Sequence, residues 1–162
     1  MYRTSRNLEA SIIDFITTQI AESPYAWTNI NIEKSFANIY ELSMPSICVI
    51  ADTTTFTPVE VGDNLFRRET LIVIDLFTEN DGQRLDLKDT LLAILRDGCP
   101  FYEFTITRSG RTSSASKIQN GRIRILKVAD APVKFGVDKE KLDVRDRYRH
   151  RLTLTVSTGK AE

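Results

Sequence analysis

The sequence predicts an α+β fold: a single domain with a mostly antiparallel sheet, flanked by an N-terminal helix and a central helix. Two segments space their apolar residues as helices do, and several others are apolar or alternating runs typical of strands. The long strands are not separated by helices in a regular βαβ rhythm, which favours antiparallel pairing. With 162 residues and 41% hydrophobic residues, the chain is long enough for one core.

The first element is an amphipathic helix over residues 5–22. Its apolar stripe recurs every four residues: Leu8, Ile12, Ile16 and Ile20. Pro24 prevents the helix from continuing. A short extended piece is expected at residues 28–32.

Two strands follow. Residues 47–51 are a β-branched apolar run, and residues 52–58 are a threonine-rich loop or hairpin end. Residues 67–78 form the clearest long strand. Because this strand is apolar on both faces, we place it in the centre of the sheet.

A second helix is predicted over residues 84–97, after a turn at residues 80–82. Its expected buried residues are Leu85, Leu91, Leu92, Ile94 and Leu95. Gly98 is a natural C-terminal cap.

The rest of the chain reads as strands and connections. We predict strands over residues 101–107, 122–128 and 145–157, and a charged connection over 130–143. Residues 108–121 are rich in Ser, Thr and Gly and contain no acid, so they predict a mobile basic loop.

The last strand alternates with a period of two. Its even positions from Tyr148 to Val156 are mostly apolar, whereas Arg145, Arg147, Arg149 and Arg151 occupy odd positions. This pattern predicts one dry face and one basic face that meets water or a partner.

Charge is divided along the chain. Residues 1–100 contain 15 acidic and 8 basic residues, whereas residues 101–162 contain 7 acidic and 14 basic residues. If the halves present different surfaces, an acidic face of one copy can meet a basic face of the next. Such a heterologous contact builds rings or filaments.

The basic residues are the candidate interface or DNA-facing residues. They are Arg67, Arg68, Arg108, Arg111, Lys117, Arg122, Arg124, Arg145, Arg147, Arg149 and Arg151. The alternative is a solvated face whose charges pair with neighbouring acids, each pair contributing about 0–1 kcal/mol. Aromatic residues are not interleaved with these arginines in the way that single-stranded nucleic-acid binding favours.

Residue chemistry does not point to an enzyme or a cofactor. His150, the single histidine, falls on the apolar face of the last strand, and Cys48 and Cys99 sit in apolar surroundings typical of buried free thiols. We expect no metal, because two distant cysteines do not have zinc-site spacing. No glycine-rich phosphate loop is present, and no apolar run approaches the length needed to span a membrane.

The order of elements resembles the tail terminator (tail-completion) and neck proteins of long-tailed bacteriophages. It starts with an amphipathic helix and a strand at residues 44–50, Met-Pro-Ser-Ile-Cys-Val-Ile. The strand at 68–77, the helix at 85–95 and the final strand at 147–156 complete the likeness.

The resemblance implies a non-enzymatic virion protein, assembled in the host cytoplasm. It implies a ring, typically of about six copies, on the head-proximal end of the tail tube. The partners implied are other copies, the tail tube protein, a head-completion or connector protein, and DNA passing through without sequence readout.

Two alternatives remain open. One is a nucleic-acid-associated module that uses the basic C-terminal strand. The other is a metal-dependent nuclease built on Asp75, Asp86 and Lys88, since two carboxylates and a lysine can hold a hard cation and orient a water.

Overall fold

A computed structural model describes residues 3–23, 30–34, 36–60, 65–109 and 112–158. The helices are α1 (Thr4–Glu22) and α2 (Asp81–Leu95). The strands are β1 (Asn31–Glu33), β2 (Ser46–Pro58), β3 (Phe66–Phe77), β4 (Cys99–Ser109), β5 (Thr112–Pro132) and β6 (His150–Ser157). Two short 3-10 turns lie at Phe36–Glu41 and Lys139–Lys141.

The strands form one sheet in the order β1-β2-β3-β6-β5-β4. The pair β1–β2 is parallel and the other pairs are antiparallel. The predicted α+β class, with a mostly antiparallel sheet and two helices, is therefore confirmed. β3 lies between β2 and β6, so its predicted central position is also confirmed.

The core lies between the two helices and one face of the sheet. The predicted stripe of α1 is buried, with Ile16 fully enclosed and Ile20 only 5% exposed. It packs against alternate residues of the central strands, among them Ile72, Ile74, Leu152 and Leu154. Among the described residues, neither helix is long and apolar enough to cross a membrane.

Helix α2 differs from its prediction at the N-terminus. It begins at Asp81, because the Asn80 side chain accepts a hydrogen bond from the Gln83 N–H at 2.8 Å and caps the first turn. Its buried line is Leu87, Leu91 and Leu95, whereas Leu85 is 40% exposed. The C-cap is Arg96, two residues before the predicted Gly98. Gly98 has a φ of 74°, and its N–H donates to the Leu95 carbonyl at 2.9 Å as the chain leaves the helix.

The prediction of a loop over residues 108–121 is wrong. Ser109 pairs with Thr112, and the ladder between β4 and β5 runs on to the pair Cys99 and Ile123. Serine and threonine are compatible with a strand once a partner strand is present. Gly121, where φ is 120°, lies at the register shift between β4 and β5. β5 pairs with β4 up to Ile123 and with β6 from Arg124 onward.

The prediction of a strand starting at residue 145 is also wrong. β6 begins at His150, and residues 144–148 form turns. The four arginines of this run therefore do not share one strand face.

Helix α1 reaches the edges of the sheet on both sides. The Ser11 hydroxyl accepts a hydrogen bond from Tyr102 N at 2.9 Å, on the outer edge of β4. On β2, the Glu9 carboxylate accepts one from Ala51 N at 3.0 Å. These side chains satisfy backbone groups that an edge strand leaves unpaired, and the sheet curls around the helix.

Candidate functional site

Asp75 is the most deeply buried charge among the described residues. It lies on β3, on the face away from the helices, with a side chain that is 0% exposed. Arg149 donates to Oδ2 from Nε at 3.0 Å and from Nη2 at 2.6 Å. Arg151 donates to Oδ1 from Nε at 2.7 Å and to Oδ2 from Nη2 at 2.9 Å. A buried carboxylate requires this compensation, so these two predicted interface arginines hold the fold together.

Arg149 joins Asp75 to the turn that precedes β6. Its Nη1 lies 3.3 Å from the Asp146 carboxylate, and its guanidinium stacks over the Phe77 ring at 4.9 Å. Tyr40 donates to Asp146 at 3.0 Å. Burial, and then the hydrogen bond to Asp146, raise the pKa of Tyr40. The turn is thus fixed to the 3-10 segment Phe36–Glu41.

Arg145 and Arg147 bind backbone carbonyls. Arg145 Nη2 donates to the Leu42 carbonyl at 3.1 Å, and Arg147 Nε donates to the Leu142 carbonyl at 3.4 Å. The continuous basic face predicted for residues 145–151 therefore does not exist. The buried carboxylate and the nearby carbonyls bind these guanidiniums within the monomer, and Arg151 remains 44% exposed at its side chain.

His150 is buried, at 2% exposure, as its place on the apolar face predicts. Its Nδ1 lies 2.8 Å from Arg84 Nη1, and its Nε2 lies 3.0 Å from Asp130 Oδ2. Because arginine only donates, Nδ1 accepts and Nε2 carries the hydrogen that points to Asp130. The histidine ties α2, β5 and β6 together.

Some basic side chains of β4 and β5 form hydrogen bonds within the chain, and others are exposed to solvent. Lys117 lies 2.8 Å from Asp14 on α1 and 4.8 Å from the Tyr102 ring centre. The hydrogen bond to Asp14 raises the pKa of Lys117. Arg122 donates to the Asp97 carbonyl at 2.7 Å. Arg124 is exposed on β5.

The remaining predicted residues lie near the ends of the hairpins. Arg67 forms an ion pair with Glu69, and Arg68 donates to the Ser5 hydroxyl at 2.7 Å. Arg108 belongs to β4, where its backbone pairs with Ser113. Arg111 lies outside the described residues.

The three residues of the nuclease alternative are not assembled into a site. Asp75 is enclosed by Arg149 and Arg151 on the face away from the helices, Asp86 is exposed on α2, and Lys88 pairs with Asp89 at 3.0 Å. In the part of the chain that the structure describes, no group of three or more His, Cys, Asp or Glu residues is placed to hold a metal ion.

Sequence reasoning missed a set of exposed apolar side chains. On the β2–β3 hairpin they are Phe56, Val59, Leu65 and Phe66, and on β4 and β5 they are Ile106, Ile118, Leu126 and Val128. Alternation alone marks such residues as buried. Apolar residues exposed in groups are a feature of interaction surfaces.

The topology separates the two charge halves in space. β1, β2 and β3 form one side of the sheet, and β6, β5 and β4 form the other. The first three strands contain four acidic and two basic residues, whereas the last three contain two acidic and six basic residues. Asp75, one of the four acids, is buried and bound by arginines, so the charge split across the molecule is mainly an excess of basic residues on the β6-β5-β4 side.

Each side of the sheet has a stretch with an open edge. Within the described residues, positions 52–58 of β2 pair with β3 alone, and positions 124–132 of β5 pair with β6 alone. Beside the β5 stretch is a groove of about 370 Å³ against α2, lined by Leu92, Leu95, Ile125, Leu126, Val128 and Leu154 among others.

No model of a known protein family matches the sequence, and no curated protein matches it either.

Proposed function

We propose that this protein is a structural virion protein of a long-tailed bacteriophage. In this proposal it forms a ring at the head-proximal end of the tail tube, where it ends tube polymerisation and joins the tail to the head. The ring would consist of about six copies, as the resemblance to tail terminator proteins implies, related by rotational symmetry. Its partners are other copies, the tube protein and a head-completion or connector protein, and DNA passes through the ring.

The observation that supports the proposal is the uneven charge of one sheet, with basic residues in excess on the β6-β5-β4 side and a slight excess of acids on the β1-β2-β3 side. A head-to-tail contact joins two different surfaces of the same chain, and opposite charges on those surfaces fix its direction. A two-fold dimer would instead pair each surface with itself. The resemblance of element order to tail terminator proteins supports the same assignment.

The nucleic-acid alternative lacks a comparable observation. It relied on a basic face at residues 145–151, and Arg149 and Arg151 are bound to Asp75. The Arg145 guanidinium is also engaged within the chain, by a hydrogen bond to the Leu42 carbonyl.

Native mass spectrometry across a protein-concentration and salt series tests the proposal. We expect a closed ring that loosens as salt rises, because salt screens contacts between exposed charges. A second measurement adds the protein to polymerising tube protein from the same genome, where we expect shorter, capped tubes. A strict monomer that also leaves tube length unchanged would contradict the proposed function.

A further inference from the structure

We propose that consecutive copies join by pairing the open edge of β2 in one copy with the open edge of β5 in the next. The two stretches are residues 52–58 and residues 124–132. This inference rests on the proposed ring and names the surfaces that would form it. The occupant of each edge is a second copy of this chain.

Among the described residues, neither stretch has a second strand on its outer edge. Residues 52–58 follow Ala51, whose N–H donates to the Glu9 carboxylate. Residues 124–132 follow Ile123, where the pairing of β5 with β4 ends. Most residues of both stretches are exposed. An open strand edge is a template for pairing with another strand.

Charge complementarity selects these two edges for each other. Residues 52–58 contain Asp52 and no Lys or Arg, and Glu60 follows two residues later. Residues 124–132 contain Arg124 and Lys127, and their one acid, Asp130, is bound to His150. Two acidic edges or two basic edges would repel, so the contact is heterologous and cannot form a symmetric pair.

Apolar complementarity points to the same pair of surfaces. Phe56 is 52% exposed and shares the helix-bearing face with Arg68, its partner across the ladder. The groove between α2 and β5 also lies on the helix-bearing face and exposes Leu126 and Val128. Docking β2 along β5 brings the exposed phenyl ring to this groove.

Strand direction favours an antiparallel junction. β2, β3, β6 and β5 alternate in direction, so β2 and β5 of one copy run oppositely. A second β2 added antiparallel to β5 then runs in the same direction as the first β2. Consecutive copies keep one strand direction, as a head-to-tail ring requires. In the register that sets Phe56 opposite Val128, Glu60 lies near Arg124.

The junction has a built-in offset. Thr54, Thr70, Val156 and Ile125 form one row across the sheet. Most of the open stretch of β2 lies to one side of this row and most of that of β5 to the other. Each docked copy is therefore shifted along the strand direction relative to its neighbour. In a closed ring, such a shift tilts the strands relative to the ring axis, as it does in β-barrels.

Cross-linking of variants that each have one added cysteine tests the junction. We mix Thr55→Cys with Ala129→Cys, two exposed positions on the face away from the helices, under the conditions of the mass-spectrometric series. A short bismaleimide is added, whose reach tolerates a small slip of register. We expect a covalent dimer from the mixture. The natural thiols of Cys48 and Cys99 are buried and serve as the unreactive background. A matched control replaces Thr55→Cys with Thr17→Cys, an exposed position on α1, and should give no dimer.

Charge reversal provides the second readout. Arg124→Glu combined with Lys127→Glu should weaken assembly at least tenfold in concentration, and mixing these chains with Glu60→Lys chains should restore part of it. Rings that form without the Thr55–Ala129 product, and whose assembly is unaffected by these charge reversals, would overturn this junction and leave the proposed ring standing. Absence of any assembly, alone or on tube ends, would overturn both.

Discussion

The Asp75 carboxylate and the Arg149 guanidinium, 74 residues apart in the chain, lie 2.6 Å apart at Oδ2 and Nη2. This ion pair joins the central strand β3 to the turn that enters β6. Because Asp75 is fully enclosed, its charge depends on Arg149 and Arg151 for compensation. The arginines of residues 145–151, the most basic segment of the sequence, thus mainly stabilise the fold.

Replacing Asp75→Asn should strongly destabilise the fold. The change leaves two guanidiniums without their carboxylate, and breaking a buried ion pair from one side costs about 3–5 kcal/mol. We expect the low end of this range because Arg151 is partly exposed. Urea unfolding measures the loss. The exposed Asp89→Asn should change stability by less than about 0.5 kcal/mol, and equal effects of the two variants would refute the role of Asp75.

Replacing Gly98→Ala should destabilise the junction between α2 and β4. Gly98 has a φ of 74°, and an added Cβ would lie 2.3 Å from the Ile123 carbonyl oxygen. Left-handed strain alone costs roughly 1–2 kcal/mol, and the backbone contact adds to it. Gly136→Ala is the matched control, because its φ is 70° and nothing lies within 4 Å. Thermal unfolding should rank Gly98→Ala well below Gly136→Ala; the reverse order would contradict the close approach.

Replacing Asn80→Ala should lower the free energy of unfolding by about 1 kcal/mol, the usual effect of losing an N-terminal cap. The Asn80 side chain accepts from Gln83 N at 2.8 Å, and alanine offers no acceptor. Asn80→Asp keeps the acceptor and adds a negative charge at the positive end of the helix, so it should match or exceed the wild type. The urea midpoints of the wild type, Asn80→Ala and Asn80→Asp test this prediction. Equal midpoints for Asn80→Ala and the wild type would contradict the capping role.

The buried thiols should make the protein less stable at alkaline pH. Burial raises the pKa of Cys48 and of Cys99 from 9.0 to about 12. Above pH 9 the unfolded chain loses these protons while the folded chain keeps them, so the free energy of unfolding falls between about pH 9 and 12. A Cys48→Ala, Cys99→Ala variant should show a shallower fall. Parallel curves for the two proteins would mean that the thiols do not contribute.

The elements predicted correctly are those whose pattern is local. Apolar spacing identifies α1, and the double-sided apolar run identifies β3. Residues 112–121 escaped detection because they contain few apolar residues and form a strand by pairing with β4. The start of β6 escaped because alternation cannot reveal that Asp75, far away in sequence, binds Arg149.

The candidate surfaces were predictable only in part. Composition reveals two opposed charge halves, but the sheet order that sets them side by side depends on long-range pairing. The open edges follow from where β1 and β4 end their ladders, which the sequence does not encode locally.

β6 follows every other strand in the chain, yet it lies between β3 and β5 in the sheet. During synthesis, the emerging chain therefore holds two separate β layers that have no ladder between them until residues 150–157 leave the ribosome. A nascent chain lacking β6 would expose the unpaired edges of β3 and β5, and the apolar residues beside them, to chaperones and proteases. Completion of the sheet thereby depends on this strand, because β6 pairs with both β3 and β5.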